Sequence, residues 1–234
     1  FDNALLLSSV ITRLKKAYPS CIIFAHRQGQ DTFLGATPEQ LVSQEKGSVS
    51  VTCLAGSAKR GVTPEEDHLF EQTLLHGTKD LREHAYVVNA VKKSLSKLCE
   101  KLTYSETPEI LKLDSIQHLS TQFNGSLGEN THVLDLVSSL HPTPAVAGTP
   151  TRTALRNIHK IERMDRGCYA APVGYITPSG DGEFGIAIRS ALLKKNQALL
   201  YAGAGIINGS DAISELDETE LKFIAMQSAL SGIK

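Results

Sequence analysis

Apolar positions near the start of the chain recur at helical spacing. Leu6, Leu7, Val10, Ile11 and Leu14 share one face, which predicts a helix capped at Asn3, running to about Ala17 and stopped by Pro19. Short apolar runs broken by turn residues follow, at Cys21–Ala25, Thr32–Leu34, Leu41–Ser43 and Val49–Leu54, and they predict an antiparallel meander. Thr63-Pro64-Glu65-Glu66 offers a cap, a proline at the first helical position and an acid at the third, so a helix opens there and ends near Gly77. A second long helix is expected over Asp80–Lys101, burying Ala85, Val88, Val91, Leu95 and Leu98. Ile110–Leu119 alternates as a strand does, and Leu134–Leu140 suits a short helix. His141–Pro150, with three prolines, is irregular, and Thr151 or Thr153 then starts a helix to about Arg163. Pro172–Thr177, Gly182–Leu193 and Ala198–Ala202 read as strands separated by turns. The last helix spans about Ser214–Leu230, with Ser214 as cap and Leu216, Leu221, Ile224 and Ala225 near one face. Hairpin-like runs of strands between blocks of helix favour an α+β fold with antiparallel sheets over a doubly wound parallel one. No repeat or linker divides residues 1–234, so they read as one domain.

Composition narrows the partners. A net charge of -1, with basic residues only in pairs such as Lys15-Lys16, Lys92-Lys93 and Lys194-Lys195, gives no footprint for nucleic acid. The longest apolar-plus-glycine run, Ala198–Ile207, is too short to span a membrane. Cys21, Cys53, Cys99 and Cys168 are widely spaced, with no C-x-x-C, which fits a reduced, cytoplasmic setting. No signal peptide is present, and an opening Phe1 in place of Met suggests a processed or cut piece of a longer chain.

Candidate chemistry gathers in a few places. In Tyr201–Lys222, a strand end leads through Gly203, Gly205 and Gly209 into a helix bearing Glu215, Glu218 and Lys222. Free backbone N–H groups followed by acids and a lysine suit a metal and a small anion, and they equally suit a capping box with a surface ion pair. Asp80 and Glu83 form a second acid pair on one helical face. Two such pairs across a cleft make an oxygen site for Mg²⁺, although Asp80 as a cap and Glu83 as its capping-box partner explain the pair as well. Glu39, in Gly35-Ala36-Thr37-Pro38-Glu39, is either a general acid with a raised pKa or the dipole acid of a helix capped by Thr37. Arg189 is placed within a strand, on the same side as Gly185 and Ala187. There it suits a bound carboxylate or simply solvent, and His118 is ambiguous in the same way. The glycines of Ala202–Gly209 have the wrong spacing for dinucleotide binding, and no Walker sequence or G-x-S-x-G nucleophile motif is present.

Taken together the motifs resemble the chorismate-utilising enzymes, in family order: GATPEQL (Gly35–Leu41), LAGSAKRG (Leu54–Gly61), KDLREH (Lys79–His84), HLS (His118–Ser120), HPTPAVAG (His141–Gly148), VGY (Val173–Tyr175), IRSA (Ile188–Ala191), YAGAGI (Tyr201–Ile206) and ELDETELK (Glu215–Lys222). Within that family HPTPAVAG is similar to the isochorismate synthase form, with Ala145 where salicylate and anthranilate synthases carry threonine. The resemblance implies antiparallel sheets packed face to face with helices outside, and conversion of chorismate to isochorismate. Glu39 then matches the general acid. Glu83 and Glu218 match Mg²⁺ ligands, with Asp80 and Glu215 acting through water. Arg189, Tyr169, Lys222 and the backbone of Gly203 and Gly205 match the carboxylate and enolpyruvyl contacts, and His118 and Ala145 line the ring. The resemblance further implies that the first strands of the sandwich, with the lysine that serves as general base, precede Phe1; no lysine here lies in that motif. Salicylate synthase and a non-catalytic chorismate-binding fragment are the competing readings. The implied partner is a small-molecule substrate, with the protein a monomer or weak homodimer that serves a quinone (menaquinone) or siderophore route.

Overall fold

The computed structural model describes residues 6–128 and 131–232. In chain order its elements are α1 (Leu7–Ala17), β1 (Ile22–Gln28), β2 (Asp31–Thr37), β3 (Gln40–Glu45), β4 (Ser48–Lys59), α2 (Pro64–His76), α3 (Thr78–Leu95), β5 (Cys99–Tyr104), β6 (Glu109–Lys112) and β7 (Ile116–Leu127). There follow α4 (Val133–Leu140), α5 (Pro144–Ala147), α6 (Thr151–Glu162), β8 (Pro172–Ile176), β9 (Gly182–Ile186), β10 (Ser190–Lys194), β11 (Gln197–Tyr201) and α7 (Ala212–Ser231). Every strand pair is antiparallel. A smaller sheet has the order β1-β2-β10-β11. A larger one runs β5-β7-β4-β3-β9-β8, with β6 beside β7.

The alternation of β2 explains how the layers stack. Phe33 joins a core shared by both sheets with Leu41, Val51, Phe123 and Ile186, and α3 and α4 add Val87, Val91, Leu95 and Leu136 to it. Leu34 and Ala36 point the other way and meet Val10 and Leu14 of α1 and Met226 and Leu230 of α7. One strand thus serves two cores because its odd and even positions face opposite ways.

Several expectations from the sequence change, among them Ile110–Leu119, which is not one strand but β6 and the start of β7, antiparallel neighbours joined at 113–115. The second helix stops at Leu95, and Cys99–Tyr104 turns out to be a strand on β7, where Leu102 and Tyr104 alternate with Lys101 and Thr103. Its buried stripe is His84, Val87, Val91 and Leu95, leaving Ala85 exposed. The last helix is capped by Asp211, which takes the backbone N–H and the hydroxyl of Ser214, so Ser214 is not the cap. On that helix Leu216 is exposed and Glu215 buried, the reverse of an apolar-in reading. The first helix has no side-chain cap at Leu6, and Asn3 lies outside the described residues.

One further change matters most for the site. Gly182–Leu193 is not one strand: β9 belongs to the larger sheet, β10 to the smaller, and the chain crosses between them at 187–189. Arg189, read as a straight-strand residue, has φ 50 at this crossing. Pro38 and Glu39 make the neighbouring crossing from β2 to β3, so the helix that Thr37 was to cap is absent. The two crossings are tied together, since the Glu39 carbonyl accepts from Ile186 N–H at 3.0 Å and the Arg189 carbonyl from Ala36 N–H at 3.2 Å. Gly35 permits that approach, because a Cβ there would lie 2.8 Å from the Arg189 carbonyl oxygen. No described helix is long and apolar enough to cross a membrane.

Candidate active site

The seam between the sheets opens into a cavity of about 860 Å³. Glu39, Glu83, His118, Ala145, Tyr169, Arg189, Gly203, Gly205 and Lys222 all line it, although they lie far apart in sequence. Asp80, Glu215 and Glu218 are not among its lining residues; they stand behind Glu83 and the two lysines described below.

Glu39 comes from the β2–β3 crossing and is 5% exposed. Burial pushes its carboxyl up to about 7, against the opposing pull of Lys222 and Arg189. Arg189 comes from the other crossing and is equally buried; its Nη2 donates to His118 Nε2 at 3.0 Å. A guanidinium only donates, so His118 Nε2 is the acceptor, and the ring carries its proton on Nδ1, 2.9 Å from Ser57 Oγ. Burial, then the charges of Arg189 and Lys222, holds the imidazole well below its ordinary value and therefore neutral. Tyr169 is stacked on Tyr201 at 5.2 Å, with the Arg166 guanidinium 5.5 Å from its ring centre. Ala145 sits in the single turn α5, inside the proline-rich stretch expected to be irregular. The helix α6 lies at the rim and contributes Ala154, Ile158 and Ile161 to the lining while burying none of its residues.

The carboxylates meet two ammonium groups. Lys222 makes a short contact with Glu218 Oε1 and donates to the Gly203 carbonyl at 2.9 Å. Lys79 Nζ is 2.6 Å from Glu215 Oε1 and 3.9 Å from both Asp80 Oδ1 and Glu83 Oε2. Burial, then the charge of Glu218, pushes the Glu83 carboxyl up to about 7, and burial also raises Asp80. Gly205 faces Glu83 so closely that a Cβ would lie 2.3 Å from its Oε1. Among the described residues no three His, Cys, Asp or Glu side chains converge on one point as a finished metal cage. The lysines fill the space between the acids. Sequence reasoning missed Ser57 and Lys79 as partners. Both lie inside quoted motifs, LAGSAKRG and KDLREH, but their roles depend on contacts across elements.

Comparison with known proteins places the chain in a family. Residues 1–231 match the protein family described as chorismate binding enzyme. Isochorismate synthase MenF of Bacillus subtilis is 41% identical over 232 residues, covering 99% of this chain and 49% of that protein. Among solved structures, DhbC from Bacillus anthracis, assigned as a 2,3-dihydroxybenzoate-specific isochorismate synthase, superposes with a TM-score of 0.94 at 38% identity, covering 98% of this chain and 63% of that one. MenF, the menaquinone-specific isochorismate synthase from Escherichia coli, gives 0.86 at 28% identity over 97% of this chain and 53% of its own. The chain spans about half the length of the curated relatives it matches.

Proposed function

The chain belongs to the chorismate-binding enzyme family, and from that premise we propose that it carries the active site of an isochorismate synthase. The reaction adds a water hydroxyl at C2 of chorismate and expels the C4 hydroxyl as water, so atoms balance and one proton must be delivered at C4 while another is taken up. Glu39 delivers the first. The observation that carries the proposal is its environment: a carboxyl buried at the seam and kept protonated up to about pH 7, facing the cavity beside Arg189 and Lys222. Arg189, Tyr169, Lys222 and the backbone of Gly203 and Gly205 take the carboxylates and the enolpyruvyl group. His118, neutral and held by Arg189 and Ser57, presents a fixed face to the ring together with Ala145.

Mg²⁺ fits the acid wall by the chemistry of its donors, which are all carboxylate oxygens. Glu215 is 5% exposed and its Oε2 has no hydrogen-bond partner, so the cluster has acceptor capacity to spare. In this reading Glu83 and Glu218 would hold the ion, with Asp80 and Glu215 as the acids behind them. When bound, the ion neutralises a substrate carboxylate and fixes the ring. Lys222, the lysine that lines the cavity among the described residues, is engaged by Glu218 and the Gly203 carbonyl, and the water-activating base is assigned to no described residue.

Both menaquinone-specific and 2,3-dihydroxybenzoate-specific relatives match, so the proposal ends at isochorismate. Free thiols at Cys21, Cys53, Cys99 and Cys168 are consistent with a cytoplasmic setting. The test is incubation of the full-length protein with chorismate and Mg²⁺, followed by resolution of the products. Isochorismate is expected, and salicylate as the main product overturns the assignment. Glu39→Gln should lower turnover by roughly 10²- to 10⁴-fold while preserving Mg²⁺-dependent chorismate binding in calorimetry. Retained turnover removes Glu39 from the role of acid, and binding without turnover in the unmodified protein leaves a chorismate-binding module.

A further inference from the structure

The acid wall holds four carboxylates against two ammonium groups, and the two are not equivalent. Lys222 is engaged by Glu218 and by the Gly203 carbonyl. Lys79, at the first turn of α3, serves the other three. Its Nζ lies 2.6 Å from Glu215 Oε1 and 3.9 Å from an oxygen of Asp80 and of Glu83. Glu215 reaches in from α7, and its Oε2 has no hydrogen-bond partner. The Lys79–Glu215 contact therefore spans the two helices that carry the acid pairs.

We infer that Lys79 is the internal counter-ion of this cluster, and that a divalent cation and the Lys79 ammonium compete for the same carboxylates. The inference rests on the proposed metal-holding role of Glu83 and Glu218. A buried carboxylate with no positive partner is strongly unfavourable, so the cation-free protein needs a charge against Glu215, and Lys79 supplies it. A divalent ion among the same oxygens meets that ammonium at short range, where like-charge repulsion is large. The Lys79 side chain is 30% exposed and has a flexible four-carbon stem, so its head can move to water as the ion enters. Lys79 thus sets how tightly the cluster takes its metal while keeping the metal-free site folded.

Lys79→Met separates these effects without assaying turnover. In EDTA it should unfold at lower temperature than the unmodified protein, and Lys79→Met with Glu215→Gln should recover most of the loss. In calorimetric titration with Mg²⁺ alone, Lys79→Met should bind about tenfold more tightly. Acetylation of the unmodified protein, read by mass spectrometry, should show Lys79 protected in EDTA and reactive in Mg²⁺. Equal or weaker Mg²⁺ binding by Lys79→Met, or continued protection of Lys79, overturns the competition and leaves the metal reading intact. Failure of both proteins to bind Mg²⁺ overturns the two together. Equal stability of the single and double variants in EDTA removes Lys79 as the counter-ion.

Discussion

Asp67 and Glu83 lie on consecutive helices, α2 and α3, and they meet opposite surroundings. The Asp67 carboxylate takes both prongs of the Arg60 fork at 2.7 and 2.9 Å, the Gly61 N–H at 2.9 Å and the Lys112 ammonium at 2.9 Å. Arg60 also donates to the Leu113 carbonyl at 2.7 Å, and Lys112 reaches Glu71 at 2.8 Å, so one acid ties α2 to β4 and β6. The Arg60 hydrogen bonds, before any other cause, hold its carboxyl far below the usual range. There two cations, Arg60 and Lys112, match two acids, Asp67 and Glu71; at Glu83 the balance shifts. Acids outnumber cations, burial and the Glu218 charge push its carboxyl up to about 7, and Lys79 and Lys222 offset this only in part. Where cations match acids the cluster is closed and serves the frame. Where acids exceed cations it retains a demand for positive charge, and at Glu83 that demand faces the cavity.

The contrast predicts opposite pH signatures. A carboxyl whose pKa is higher in the folded state favours folding below its unfolded value and loses that contribution as pH rises through the folded one; a depressed carboxyl does the reverse. The large effects belong to Glu39 and Glu83, and for Glu39 the folded value of about 7 stands above 4.5. Removing its charge with Glu39→Gln should stabilise the protein at pH 8 by up to about 3 kcal/mol and change little at pH 4. Urea unfolding at the two pH values checks this, and an equal shift at both would show that Glu39 is not desolvated. Glu83→Gln should act in the same direction and to a similar extent, because its folded value of about 7 already includes the opposing pull of Lys79 and Lys222. Asp67→Asn should instead lower the unfolding temperature at pH 7 by several degrees, the difference starting to shrink below the ordinary carboxylate range and closing only as pH falls through the strongly depressed folded value. Thermal scans from pH 7 to as far into acid as the fold survives measure it. Identical curves would mean that the Arg60–Lys112 network does not hold the frame.

Periodicity located most of the elements, because each needs only local information: Thr63 and Pro64 start α2, and the alternation of β2 is visible in its residues. It failed where pairing across the sheets decides. Ser96 to Lys101 continued a helical pattern until β7 offered an edge, Ile110–Leu119 ran β6 into β7 across their turn, and the run through Arg189 looked unbroken because nothing in its alternation records a change of sheet. The site was legible as a set of motifs and illegible as a geometry. Glu39 on spacing alone suits a helix start, and only the β2–β3 crossing makes it a buried acid at a seam. Glu215 was legible as one acid of a pair, but its burial was not, since Leu216 beside it has the better apolar claim and is 56% exposed. Lys79 went unnoticed because its partner lies on another helix, far along the chain.

The smallest effect is the sharpest test of the division between frame and site, and it concerns two glycines. At Gly205 a methyl group would meet the Glu83 carboxylate, the free end of a flexible side chain. Glu83 can turn away while α3 stays in place, so Gly205→Ala should leave the unfolding temperature within about 2 °C and weaken Mg²⁺-dependent chorismate binding by roughly tenfold. At Gly125 a Cβ would lie 2.8 Å from the Lys101 carbonyl, a backbone group fixed in the β5–β7 ladder that cannot yield. Gly125→Ala should therefore lower stability and, in the fraction that folds, leave ligand affinity unchanged. Calorimetry and thermal unfolding on the two variants give a crossed pattern if the acid wall is separable from the frame. Should Gly205→Ala cost stability as Gly125→Ala does, Glu83 is held as rigidly as Asp67, and its raised pKa is a strain carried by the fold and not a capacity kept for a ligand.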